Sequence, residues 1–218
     1  MGKKKEKRLK IKVLPIIIFF LIIILITTMI YFLTLIPISN IYIKGNNYLS
    51  DQTIIEDAKI ENYPSFIKTS KATIKKRLLK NPYIKGVKVT KKLMGIINIT
   101  IEENKVLFRK DETKMIVLEN GKELDDENQF IVPILLNYIP DTKYDTFVKK
   151  MNEVDENIKQ QISEIRYYPN QQDEDRFLLY MNDGNEVYVT ISKLELLNKY
   201  IEIIQKVNIF NKIYYSII

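Results

Sequence analysis

The sequence predicts an α+β protein: an N-terminal transmembrane helix, then a small β-α-α-β-β domain, then a mixed, mainly antiparallel β domain with helices. Three observations predict it. The run from Val13 to Ser39 carries no charge and is long enough to cross a bilayer. Beyond it, short stretches with apolar residues at every second position flank two short stretches with helical spacing. From Lys105 onward, strand-like runs broken by Asn-Gly and Asp-Gly turns dominate.

Leu14 to Ile36 would extend roughly 35 Å as a helix, enough to cross a hydrocarbon core of about 30 Å. A buried core helix of this length would need a polar face, and none exists here. A cleaved signal peptide would have a shorter apolar region followed by a small-residue cleavage site, and neither is present. The charge lies in front of this run. Of 34 Lys+Arg and 27 Asp+Glu, seven bases and one acid fall in residues 1–12, which leaves 27 against 26 for the rest of the chain. The formal net charge of +7 is therefore a property of the tail, and a nucleic-acid-binding surface loses its support. Lys3, Lys4, Lys5, Lys7, Arg8, Lys10 and Lys12 precede the span, and Lys44 is the first base after it, which predicts a cytoplasmic N-terminus and an extracytoplasmic bulk.

After the span, Ile41 and Ile43 alternate up to Gly45-Asn46, a strand ended by a turn. Ser50 is placed to cap a short helix with Ile54, Ile55 and Ala58 on one face. Thr69 or Ser70 would cap a second, with Ile74, Leu78 and Leu79 inward and Asn81-Pro82 as its end. Ile84, Val87 and Val89, then Ile97, Ile99 and Ile101 after the KKLMG turn, alternate with polar residues as a half-buried hairpin.

In the second half, Asn120-Gly121 predicts a hairpin with a type I′ turn. Ile131 to Leu136 is a short apolar run. Tyr144, Phe147, Val148 and Met151 define an amphipathic helix begun by Asp141. Ile162 to Tyr168, Phe177 to Met181 and Val187 to Ile191 read as strands, the last two joined by Asp183-Gly184. Ser192 would cap a closing helix with Leu196, Leu197, Tyr200, Ile203, Ile204 and Val207 on one face. Lys212 to Ile218 is strand-like.

The chain has no His and no Cys, so histidine relays, thiol nucleophiles, Cys/His metal sites and disulfides are excluded. What remains is Ser with Lys, or carboxylates. Ser65-Phe66-Ile67-Lys68 matches an S-x-x-K pattern, but Pro64 puts it in a loop and the companion motifs of such enzymes are missing. Glu102-Glu103, Asp125-Asp126-Glu127 and Asp173-Glu174-Asp175 are sequence neighbours, which on a strand point to opposite faces and seldom converge on one site. Asp173-Glu174-Asp175 also lacks the Gly and the terminal Glu of a calcium loop and reads as a solvated loop. No enzyme, cofactor, metal or small-molecule substrate is predicted.

The strings IYIKGNNYLSDQTIIEDAKI and LLKNPYIKGVKVTKKLMGIINITIEE resemble a POTRA domain of the bacterial DivIB/FtsQ cell-division family. The later DG-x-x-V-Y-V strand with K-L-x-L-L-x-K-Y-x-x-I resembles the C-terminal β domain of that family. The resemblance implies a cytoplasmic basic tail over 1–13, a transmembrane helix over 14–36, a POTRA domain over 38–105 and a β domain over 106–218. It implies a single-pass plasma-membrane scaffold of the divisome at the division septum, binding membrane proteins of the FtsB/DivIC and FtsL type. The alternative is a membrane-anchored POTRA-type chaperone or transport adaptor. Within the β domain, the resemblance points to a strand near the C-terminal end as the partner site. In this sequence that is the alternating stretch Ile213, Tyr214, Tyr215, Ser216 and Ile217, whose backbone edge could accept a guest strand.

Overall fold

The computed structural model describes residues 13–126 and 130–206. The apolar run forms helix α1, Val13–Leu35, long and apolar enough to cross a membrane and with no buried residue. It starts and ends one residue before the span read from the sequence, within the usual scatter of helix ends.

Two compact units follow from the pattern of contacts, 13–81 with 86–102, and 82–85 with the described residues from 103 onward. In the first, β1 (Asn40–Lys44), α2 (Asp51–Ala58), α3 (Lys71–Leu78), β2 (Ile84–Lys92) and β3 (Ile96–Glu103) occur in the expected order. The strands lie as β1-β3-β2, with β1 parallel to β3 in the register Ile41↔Ile97 and Ile43↔Ile99. The Ser50 and Ser70 side chains each accept a hydrogen bond from the N–H three residues on, at 3.0 Å, so both helices start with a filled cap. Ile54, Ala58, Ile74, Leu78, Val87, Ile97, Ile99 and Ile101 are buried. Leu79 is not part of this face; it is 42% exposed, because α3 ends at Leu78.

The second unit is built on a seven-stranded sheet. Its strands are β4 (Val106–Lys110), β5 (Met115–Leu118), β6 (Glu123–Asp125), β7 (Ile134–Leu135), β8 (Ile162–Tyr167), β9 (Arg176–Met181) and β10 (Glu186–Thr190), ordered β10-β9-β8-β7-β4-β5-β6. Of the expected Ile131–Leu136 run only two residues form β7, and Ile131 is 98% exposed. Helix α4 (Asp141–Met151) buries Phe147, Val148 and Met151 as the 3.6 period demands. The Phe147 ring stacks on Phe177 at 4.6 Å and meets Phe108 at 5.4 Å, tying helix to sheet. The short helix α5 (Glu156–Lys159) follows.

Two local expectations need correction. The β5–β6 turn is not type I′. Gly121 has φ +77, but Asn120 is not among the positive-φ residues, and Gly121 N–H donates to the Leu118 carbonyl at 2.8 Å while Leu118 N–H donates to Lys122 at 2.9 Å. This is a three-residue loop with glycine in the left-handed position, and Met181 to Asn185 repeats it around Gly184 at φ +85. Helix α4 does begin at Asp141, as expected, with Pro140 before it and no side-chain cap. The closing helix has Thr190, not Ser192, at its N-cap position, and that side chain makes no capping bond. It is a 3₁₀-helix over Ile191–Lys199 and becomes α-helical over 200–206. Ile191, Leu194, Leu197 and Tyr200 are its buried residues, a spacing of three that matches three residues per turn.

Candidate functional site

The expected partner strand, Ile213, Tyr214, Tyr215, Ser216 and Ile217, lies outside the described residues. The described residues nevertheless lead to one end of the seven-stranded sheet. There β10 pairs with β9 alone, from Glu186↔Tyr180 to Thr190↔Arg176, and among the described residues nothing pairs with its outer side. Its alternation fits an edge strand: Val187 and Val189 turn to the core cluster, and Tyr188 is 53% exposed.

Beside this edge runs an apolar groove of about 350 Å³, lined by Val187, Val189, Leu196, Leu197, Tyr200 and Ile203. Leu196 and Ile203, expected on the buried face of the closing helix, are 50% and 52% exposed. The three-residue period of the 3₁₀ segment rotates Leu196 off the core and leaves it on the groove wall.

A polar anchor stands at one wall of the groove. The Tyr200 hydroxyl donates to the Asp183 carboxylate at 2.7 Å and accepts from the Asn185 amide at 3.0 Å, which pins the closing helix to the β9–β10 turn. That hydrogen bond holds Asp183 below the usual carboxylate range, while burial, with Asp183 beside it, raises the Tyr200 phenol. At the other end of β10, Tyr168 and Tyr188 lie 6.2 Å apart with the Arg176 guanidinium 5.0 Å from one ring and 5.1 Å from the other. Tyrosine and arginine at an exposed sheet end are the side chains that most often anchor protein interfaces. The sequence signal for this cluster is non-local, since Tyr168 follows β8, Arg176 starts β9 and Tyr188 lies in β10.

The candidate catalytic groups are not assembled for chemistry. The Ser65 hydroxyl donates to the Thr34 carbonyl, and Lys68 is exposed in the same turn. Asp173 accepts from Asp175 N–H at 2.9 Å and from the Thr190 hydroxyl at 3.3 Å, and Asp175 pairs with Lys143, so this cluster shapes a loop. Asp126 pairs with Arg109 at 3.1 Å and accepts from Phe130 N–H. A cavity of about 200 Å³ between β4, β6 and α4 contains Lys110, Glu123 and Tyr144, but the three satisfy one another: Lys110 pairs with Glu123, to which the Tyr144 hydroxyl donates at 3.1 Å. Burial and that carboxylate push the Tyr144 phenol well above its ordinary range.

Comparison with known proteins agrees with these two units. The family model for the FtsQ-type POTRA domain matches residues 36–104, and that for the cell division protein FtsQ/DivIB C-terminal region matches 106–218. The chain is 34% identical over 194 residues to cell division protein DivIB of Bacillus subtilis, covering 86% of this chain and 73% of that protein. It is 32% identical over 198 residues to DivIB of Bacillus anthracis, covering 87% and 73%. A solved structure of the major extracytoplasmic domain of DivIB from Geobacillus stearothermophilus is 24% identical, with a TM-score of 0.38 over 45% of this chain and 87% of that one.

Proposed function

This chain belongs to the FtsQ/DivIB family of cell division proteins, and from that premise we propose that it is a non-enzymatic, bitopic scaffold of the divisome. Its basic tail stays in the cytoplasm, α1 crosses the plasma membrane, and the POTRA (38–105) and β (106–218) domains hold other single-span division proteins at the septum. The partners are small coiled-coil membrane proteins of the FtsB/DivIC and FtsL type. They bind by strand addition through Ile213, Tyr214, Tyr215, Ser216 and Ile217, which follow the closing helix in the sequence.

The observation that carries this reading is the outer side of β10, unpartnered among the described residues and bordered by an apolar groove and a Tyr/Arg cluster. Main-chain N–H and C=O groups at such an edge supply affinity, and the groove supplies side-chain selectivity. The test is in-cell photocrosslinking of the full chain, with a photoreactive residue in place of Tyr188 or of Tyr214, followed by identification of the captured proteins. Single-span division proteins are the expected catch, and their absence from both positions refutes the scaffold reading. Tyr215→Pro removes one backbone donor and fixes φ near −65°. Wild-type capture by a Tyr215→Pro chain with unchanged circular dichroism refutes strand addition and leaves the scaffold reading standing.

A further inference from the structure

Two loops of the first unit grip the outer end of α1. From one side, Phe66 N–H donates to the Ile36 carbonyl at 2.8 Å, Ile38 N–H donates to Pro64 at 3.0 Å, and the Ser65 hydroxyl reaches the Thr34 carbonyl inside the last turn of the helix. From the other side, the Leu93–Gly95 turn between β2 and β3 accepts Ser39 N–H at 2.9 Å and the Ser39 hydroxyl at 2.6 Å. The approach is close enough to require glycine: a Cβ on Gly95 would sit 2.7 Å from the Pro37 carbonyl oxygen. Lys91 then ties the two loops together, its ammonium donating to the Phe66 carbonyl and, at 2.8 Å, to the Thr69 carbonyl.

This grip fixes the height of the loops. The 23 residues of α1 rise about 35 Å at about 1.5 Å each, against a hydrocarbon core of about 30 Å and about 40–45 Å with headgroups. Thr34 to Ser39, and whatever is bonded to them, therefore lie at headgroup level. The side chains presented there do not suit water. Leu93 is 87% exposed and Met94 86%, the most exposed large apolar residues described in this unit outside α1, with Tyr63 and Ile67 half-exposed. Met94 also holds φ +64, a conformation that costs a side-chain-bearing residue energy, while its side chain stays out of the unit's core. Lys68, Lys71 and Lys92 are exposed around these residues, with Glu61 as the carboxylate in the Tyr63 turn, a balance complementary to lipid phosphates.

We propose that Leu93, Met94, Tyr63 and Ile67 form a foot that rests in the headgroup layer of the bilayer crossed by α1, so that the membrane is a binding partner of this domain. The surface is continuous with the membrane helix, which distinguishes a lipid partner from a second protein. The inference rests on the spanning reading of α1, and the test separates the two.

The chain contains no tryptophan, so single tryptophans report unambiguously. Leu93→Trp, Phe20→Trp within α1 and Leu79→Trp at the far end of α3 are placed in the full chain and reconstituted in phosphatidylcholine–phosphatidylglycerol vesicles. The lipids carry bromine either near the carbonyls or in mid-chain. The foot predicts that Leu93→Trp is blue-shifted and loses more than half its emission to the shallow bromines, that Phe20→Trp is quenched by the deep ones, and that Leu79→Trp is quenched by neither. If Phe20→Trp is quenched while Leu93→Trp behaves like Leu79→Trp, the foot is refuted and the span stands. If Phe20→Trp is not quenched, the spanning reading itself fails. A blue-shifted Leu93→Trp that ignores both bromines and varies with protein density would mean a second copy covers the patch, which also refutes the proposal.

Discussion

Replacing Gly45 by alanine should destabilise its unit by about 3 kcal/mol, whereas the same change at Gly86 should be neutral or stabilising. Gly45 has φ +85, and a Cβ there would lie 2.2 Å from the Ile101 carbonyl oxygen; since contacts under 3.0 Å do not occur, β1 and β3 must separate by at least 0.8 Å. They would do so where Lys44 pairs with Thr100. Positive φ costs alanine about 1–2 kcal/mol, and a lost ladder hydrogen bond adds about 1 kcal/mol. At Gly95 the overlap is smaller, 2.7 Å to the Pro37 oxygen with φ +80, so about 2 kcal/mol is expected. Gly86 has no positive φ, and its nearest neighbours are the Glu102 Oε2 and Cβ atoms at 3.1 and 3.4 Å, side-chain atoms that need give only a few tenths of an ångström. There alanine gains about 0.4–1 kcal/mol by restricting the unfolded chain. A core of this size holds about 3–5 kcal/mol, so Gly45→Ala brings the unit to the edge of unfolding in plain buffer. The assay is urea unfolding of the detergent-solubilised full chain with Tyr42→Trp as reporter. The midpoints should fall in the order Gly86→Ala, parent, Gly95→Ala, Gly45→Ala, spread over about 3 M for a slope near 1 kcal/mol per M. Equal midpoints for Gly45→Ala and Gly86→Ala would refute the close approach of β1 to β3.

Phe147→Ala should destabilise the second unit by about 3–5 kcal/mol, because it removes the ring stacked between Phe108 and Phe177; a loss under about 1 kcal/mol in urea unfolding would show that these rings are not close-packed. The depressed Asp183 carboxyl contributes stability that is present above the ordinary carboxylate pKa and is lost as pH falls through its lower folded value, so the window lies below about pH 4. Tyr200→Phe should flatten the acid limb of the stability curve there, and parallel curves for parent and variant would remove the hydrogen bond as the cause. External protease on spheroplasts should degrade everything beyond Asn40; protection of that part would overturn the topology.

What was legible in the sequence was whatever a local pattern decides. Uninterrupted apolarity marks α1, small polar caps mark the starts of α2 and α3, period-two alternation marks β2 and β3, and apolar runs bounded by a polar loop and an Asp-Gly turn mark β8 to β10. The errors fall where two local solutions compete. Asn-Gly suits both a two-residue and a three-residue hairpin loop, and the Leu118–Lys122 hydrogen bond selects the longer. A period of 3.6 residues turns Leu196 inward, whereas Ile191, Leu194, Leu197 and Tyr200, three apart, mark a 3₁₀-helix that leaves it out. Strand order was not legible, because β7 contributes only two residues and its neighbours are distant in sequence. The open side of β10 and its Tyr/Arg cluster follow from that order and could not be read before it, and the stretch expected to bind partners, Ile213 to Ile217, lies beyond the described residues.

The two-residue β7 also has a kinetic consequence. It joins two antiparallel triplets, β4-β5-β6 and β8-β9-β10, and is parallel to the strand on each side. Each triplet is contiguous in sequence, and its hairpins can close within about 1–10 μs. The parallel waist must instead bring Arg109 and Lys110 to Ile134 and Leu135, and these to Glu164 and Ile165, across much longer loops. Closing the waist is therefore expected to be the slow step of folding for this unit. Truncating Leu135 should slow refolding in stopped-flow experiments, while Gly184→Ala, at a loop tip, should leave the refolding limb unchanged and steepen only the loss of the native state.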